Sequence, residues 1–74
     1  MKKDNTRHIA LYAQLGKNIS IRRKSLKLSQ EELAFRISSC RNYIGCIERA
    51  EKFPSLAVVF DIANALNCEV KELF

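Results

Sequence analysis

The stretch Gln30 to Arg49, QEELAFRISSCRNYIGCIER, decides how the rest of the chain is read. It reads as two short helices joined by a tight turn. Ser29 stands at the N-cap with Glu32 at N3, so each side chain satisfies a backbone N–H at the other's position, a capping box. Leu28 at N′ and Leu33 at N4 are placed to close a hydrophobic staple. Leu33 and Ile37 then share a face, and Ala34 beside them leaves room for a crossing helix. The pattern stops at Ser38, Ser39 and Cys40, all small. It resumes with Ile44 and Ile47, three apart, the apolar seam of a second helix. The other faces of that helix carry Arg41, Asn42, Gly45, Cys46 and Arg49. An amphipathic helix with Arg and Asn in its first turn suits a DNA major groove. Arg matches the acceptor pair on guanine, and Asn the donor and acceptor on adenine.

The totals agree with a small DNA-binding domain. At 74 residues the chain is one domain, near the lower size at which a single core suffices. Hydrophobic content of 47% with one Pro and two Gly indicates a packed, mostly helical protein. No apolar run approaches the roughly 20 residues of a membrane span, and the polar start MKKDNTRH is unlike a signal peptide, so a cytoplasmic protein is expected. Three cysteines without a C-x-x-C pair fit reduced thiols. Cys40, Cys46, Cys68 and His8 lack the spacing of zinc ligands, and no metal or cofactor is implied. His8 is the single histidine, and no nucleophile, base and acid set or carboxylate pair is readable, so an enzyme is not expected.

Net charge is +5, which favours a polyanionic partner. The charge is uneven. Residues 1–27 hold eight Lys or Arg against one acid, and residues 28–74 hold five against seven. The first helix therefore either touches phosphates or presents a solvated basic face.

Taken in order, Met1 to about Asn5 is expected to be mobile, with Asp4, Asn5 or Thr6 capping the first helix. Ile9, Tyr12, Leu15 or Gly16, Ile19 and Leu26 recur at three-to-four spacing and predict a long helix to about Ser25, unless Gly16 divides it. The second helix is expected from Gln30 to about Ile37 and the third from Arg41 to about Arg49. Gly45 costs about 1 kcal/mol against Ala inside a helix. It either lets the helix backbone approach DNA or is simply tolerated. Pro54 closes the next loop, and Ser55 caps a fourth helix. Its apolar residues Leu56, Val59, Phe60, Ile62, Ala63 and Leu66 read as core. Asn67 suits a left-handed residue after that helix. Glu69 to Phe74 predicts a fifth, short helix. Its Leu73 and Phe74, with Leu66 and Val70, are either a lid on the core or a homodimer interface.

The ordered set S-Q-E-E-L-A, Ile37, Y-I-x-x-I-E-R, Pro54-Ser55-Leu56 and the closing Leu66 to Phe74 resembles the Cro and lambda-repressor-like (XRE) helix-turn-helix regulators. The resemblance covers roughly Leu15 to Phe74. It implies an all-α, compact five-helix lambda-repressor-like domain over 15–74, with 1–14 an N-terminal extension of helix 1. It implies double-stranded DNA as partner, a homodimer on a palindromic operator, and regulation by blocking RNA polymerase or touching it as an activator. By the same resemblance, helix 3 reads bases through Arg41, Asn42, Gly45 and Cys46. Gln30, Tyr43, Arg49 and Lys52 hold phosphates, although the Tyr43 ring would equally pack on the domain. Arg23 pairs with Glu48 as a partly buried ion pair instead of leaving two exposed charges. Four departures stand out: Lys27 and Ser38 replace turn glycines, Ser39 replaces an apolar residue, and Cys40 replaces a Ser or Thr cap. The Y-I-G-x-I-E-R run looks most like the controllers of restriction–modification systems. An antitoxin-like interaction module is the alternative function.

Overall fold

The computed structural model describes residues 8–74. The expectations for the first residues, including the choice of cap among Asp4, Asn5 and Thr6, lie outside them. Four α-helices follow one another: α1 Ile9–Ser25, α2 Gln30–Arg36, α3 Arg41–Glu48 and α4 Leu56–Ala65. A 3₁₀ turn, Val70–Leu73, follows α4, and the described residues contain no strand. The expected fifth helix is thus corrected to a single turn. Four residues are too few for an α-helix, and this turn is held at its start by the Glu72 carboxylate accepting from the Glu69 N–H at 3.0 Å. None of the described helices is long and apolar enough to cross a membrane.

α1 is continuous through Leu15 and Gly16, so the described part of the extension is two further turns of the same helix. Gly16 does not break it. A Cβ at Gly16 would collide with the backbone carbonyl oxygen of Ile47 and lie 2.7 Å from that of Glu48, so the missing side chain is what lets α1 rest on the end of α3. One turn earlier, Tyr12 stacks on Phe53 with ring centroids 4.4 Å apart, tying the extension to the loop before Pro54.

The capping box is formed, Ser29 Oγ accepting from Glu32 N–H at 2.9 Å and Glu32 Oε1 from Ser29 N–H at 2.7 Å. The Ser29 N–H first, and the Ser29 hydroxyl after it, hold the Glu32 carboxyl below its ordinary pKa. Each helix then ends in the same way. Lys27, Ser38, Ala50 and Asn67 are left-handed, with φ of 60°, 57°, 60° and 61°. The next N–H reaches back to the helix at Arg23, Ala34, Cys46 and Ala63 respectively, completing a Schellman closure each time. Asn67 was expected there, and Lys27 and Ser38, which stand in place of turn glycines, adopt the left-handed backbone without glycine's freedom. Ala50 has no sequence signal for a left-handed backbone.

Leu15, Ile19, Leu33, Ala34, Ile44, Ile47, Val59, Ile62, Ala63, Leu66 and Leu73 form the core. Several expected members lie outside it. Ile9 on α1 and Leu26 at its C-cap are exposed, and Leu56 and Phe60 are exposed on α4, at 66% and 56%. The apolar period of α4 is wider than the strip its neighbours cover. Leu66 and Leu73 are both 0% exposed, so they close the core of their own chain and leave no surface for a partner. The terminal turn is clipped down by α1. Asn18 Nδ2 donates to the Leu73 carbonyl at 3.0 Å, and Arg22 donates to the carbonyls of Leu66 and Asn67 at 3.3 and 3.2 Å.

Two glycine exchanges should move stability in opposite directions. Gly16→Ala should lose about 1–3 kcal/mol by overpacking, although Ala is the better helix former. Ala50→Gly should gain up to about 1 kcal/mol by relieving the left-handed residue. Urea midpoints at constant slope measure both. A Gly16→Ala chain as stable as its parent would mean that α1 is seated elsewhere.

Candidate nucleic-acid interface

α2 and α3 pack as a helix-turn-helix around Leu33, Ala34, Ile44 and Ile47. Ser38 and Ser39 make the turn, and the Ser39 N–H closes on the Ala34 carbonyl at 2.8 Å. Cys40 stands at the N-cap of α3 and provides no side-chain hydrogen bond; Ser39 does not replace it. With no acid in its first turn either, the start of α3 keeps its free N–H groups and the positive end of its dipole. Arg41 and Asn42 project from this open end and are exposed.

The orientation of α3 is set from below by charge. Arg23 Nε and Nη2 donate to Glu48 Oε2 and Oε1 at 2.7 and 3.1 Å, a two-pronged pair with both side chains under 10% exposed. Arg23 Nη1 donates to the Leu28 carbonyl at 2.8 Å, and Gln30 Nε2 donates to Glu48 Oε1 at 2.9 Å. One carboxylate therefore joins α1, the start of α2 and the end of α3. No buried side-chain nitrogen or oxygen among the described residues lacks a partner. The expected ion pair exists. The Gln30 bond had no sequence signal beyond a polar residue at the first helical position, and it commits part of a side chain expected to face phosphate.

The remaining site residues are spread over three environments. Tyr43 is half-buried with its ring against the core, the packed alternative for this residue. Lys52 is exposed in the loop after α3. Gly45 and Cys46 are buried, because the Arg49 side chain folds back over them. Arg49 Nη1 lies 3.0 Å from where a Gly45 Cβ would stand, and Nη2 is 3.9 Å from Cys46 Sγ. Glu51 holds this arginine from the other side, accepting from Nε at 3.0 Å and from Nη2 at 3.2 Å. The pairing raises the Arg49 pKa and lowers that of Glu51, the hydrogen bond being the main cause in both. Of the dimer candidates, Val70 is half-buried and Phe74 is 53% exposed.

A helix-turn-helix family model matches residues 19–73. The chain belongs to the XRE-type helix-turn-helix family. It is 39% identical over 59 residues to the control protein C.SmaI of Serratia marcescens, covering 80% of this chain and 70% of that one. The crystal structure of the restriction–modification controller C.AhdI from Aeromonas hydrophila superposes with a TM-score of 0.84 at 37% identity, over 88% of this chain and 98% of that one. The P22 c2 repressor, solved in complex with a synthetic operator, superposes with a TM-score of 0.76 at 30% identity, over 81% of this chain and 91% of that one.

Within this XRE-type chain, breaking the buried pair is the sharpest test of what holds α3. Arg23→Ala or Glu48→Ala should each cost about 3–5 kcal/mol, because either leaves a charge buried and unpaired. Replacing both, as Arg23→Met with Glu48→Leu, should recover much of the loss. Denaturation midpoints of the three chains decide it, and single losses under about 1 kcal/mol would mean that packing alone orients α3.

Proposed function

We propose that this XRE-type regulator acts as a homodimer on a palindromic operator, with α3 of each copy in the major groove. The observation that carries the reading is Arg41 and Asn42 exposed at the uncapped start of α3, a helix locked at its other end by the Arg23–Glu48–Gln30 network. A rigid helix with two bidentate side chains at its open end is what reading base edges requires. Likeness to the operator-bound P22 c2 repressor and to two controllers supports it. In this reading Arg41 and Asn42 contact bases. Gln30 at the start of α2, the Tyr43 hydroxyl and Lys52 hold phosphates and set the register.

One domain of this size makes too few base contacts alone, and two copies on half-sites about one helical turn apart supply the specificity. The surface that fits a second copy consists of two grooves rich in apolar side chains. Leu11, Leu56 and Phe74 line one groove, and Phe60, one helical turn from Leu56, lines the next with Cys68 and Val70. Leu11, Leu56, Phe60 and Phe74 are each more than half exposed, an arrangement that favours association. A regulator so placed blocks polymerase or recruits it. Phe35, 84% exposed on α2 beside Glu31 and Glu32, is the surface with which it would meet RNA polymerase.

Selection of duplexes from a random pool, followed by footprinting, should enrich a palindrome protected over two half-sites. Failure to enrich any duplex, together with a stable complex with another protein, would favour the antitoxin-like module. On the selected duplex, Arg41→Ala and Asn42→Ala should each lose about 1–3 kcal/mol of binding and much less on random DNA. Equal losses on both would reassign these side chains to phosphate.

Phe60→Asp should give a folded monomer that binds the palindrome weakly, as read by sedimentation and circular dichroism together. An unchanged dimer would move the two-fold contact away from α4.

A further inference from the structure

The way Arg49 is held goes beyond the contacts expected of it. A free arginine at the end of a surface helix is a mobile cation that neutralises whichever phosphate is near. This one is gripped along one edge by the Glu51 carboxylate, through Nε and Nη2. It lies along α3 over Gly45, four residues earlier, and beside Cys46. It covers the ground that side chains at those positions would present, on the row that continues to Arg41. The guanidinium edge not held by Glu51 is the one formed by Nη1 and Nη2, where Nη2 makes only a weak further bond to Cys46 Sγ at 3.9 Å. That two-pronged edge is the one that pairs with the O6 and N7 acceptors of guanine.

We propose that Glu51 is a positioning residue which, with the space left by Gly45, turns Arg49 from a phosphate contact into a base-reading side chain of α3. The proposal rests on the operator reading above and names a further determinant of its specificity. Gly45 and Cys46 then contribute by making room and a seat, and Arg49 supplies the donors. The carboxylate has a second effect, since it cancels much of the attraction between Arg49 and phosphates in general. Glu51 therefore exchanges indiscriminate affinity for direction.

The test uses the full chain, duplexes selected by it from a random pool, the same duplexes with each base pair replaced in turn, and random-sequence DNA. Glu51→Gln keeps the shape and removes the charge, and both side chains of the pair are 55% exposed, so the fold is not at stake. The expected result is a fall of about tenfold in the ratio of selected to random binding, with random binding unchanged or tighter. The preference for guanine should be lost at one position in each half-site. Arg49→Ala should abolish the same preference, and Glu51→Gln should add nothing to it. Gly45→Ala, whose Cβ displaces the tip of Arg49, should weaken the preference at that same position. Tighter binding of Glu51→Gln to both DNAs with the preference intact would overturn the proposal and leave Glu51 as a mere repulsive charge. An Arg49→Ala chain that loses one unit of salt dependence on random DNA and no base preference would overturn it as well. Should the unaltered chain enrich no duplex, the operator reading itself falls, and this proposal with it.

Discussion

The structure depends on one ion pair that water barely reaches. Arg23 and Glu48 come from the ends of α1 and α3, and both carry a full charge into the region where the two helices meet. Desolvating either alone would cost several kcal/mol, so neither helix can leave its place without stranding a charge. The pair is tied in on both sides as well: Arg23 has the Leu28 carbonyl as its third acceptor, and Glu48 has the Gln30 amide as its third donor. Gly16 adds a steric condition to the electrostatic one, since only a residue without Cβ admits α1 against the carbonyls of Ile47 and Glu48. Charge sets the direction of α3 and close approach sets its depth. The N-terminal end of α3, about two turns away, inherits both.

Short helices need firm ends, and here every α-helix C-terminus is closed by the same left-handed turn, built mostly from residues that dislike it. Only Asn67 is a common choice for that conformation; Lys27, Ser38 and Ala50 are not. The backbone hydrogen bonds returned by each closure, together with burial of the adjoining core residue, outweigh the local strain. This allows α2 and α3, seven and eight residues long, to persist although neither would be stable alone.

The basic half of the chain is less available to DNA than its count suggests. Of the five basic residues between Lys17 and Lys27, Arg22 and Arg23 are occupied by the carbonyls of Leu66 and Asn67 and by Glu48. Lys17, Lys24 and Lys27 remain at the surface. Apolar surface is divided in a similar way. Leu66 and Leu73 are enclosed, whereas Leu56, Phe60 and Phe74, close to them in sequence, are left outside.

Much of this was legible in the chain alone. The capping box at Ser29 and Glu32, the bounds of α2 and α3 within a residue, the inward Ile44 and Ile47, and the family were all carried by short spacings in sequence. Local hydrogen bonds and helical periodicity act over a few residues, so a sequence displays them directly. The Arg23–Glu48 pair was reached only through resemblance, since residues 25 apart carry no local signal of contact. What the tertiary structure decided was every question of which face is covered. Periodicity shows that Leu56, Phe60, Leu66 and Leu73 are apolar, but only the crossing of α1 and the terminal turn determines that the last two are sealed in. The same holds at α3. Gly45, Cys46, Arg49 and Glu51 look like four separate surface residues until the chain turns at Ala50 and brings the carboxylate back onto the arginine. That turn is left-handed at an alanine, a conformation imposed by the closure of α3 and the packing of its end, and no residue type in the sequence announces it.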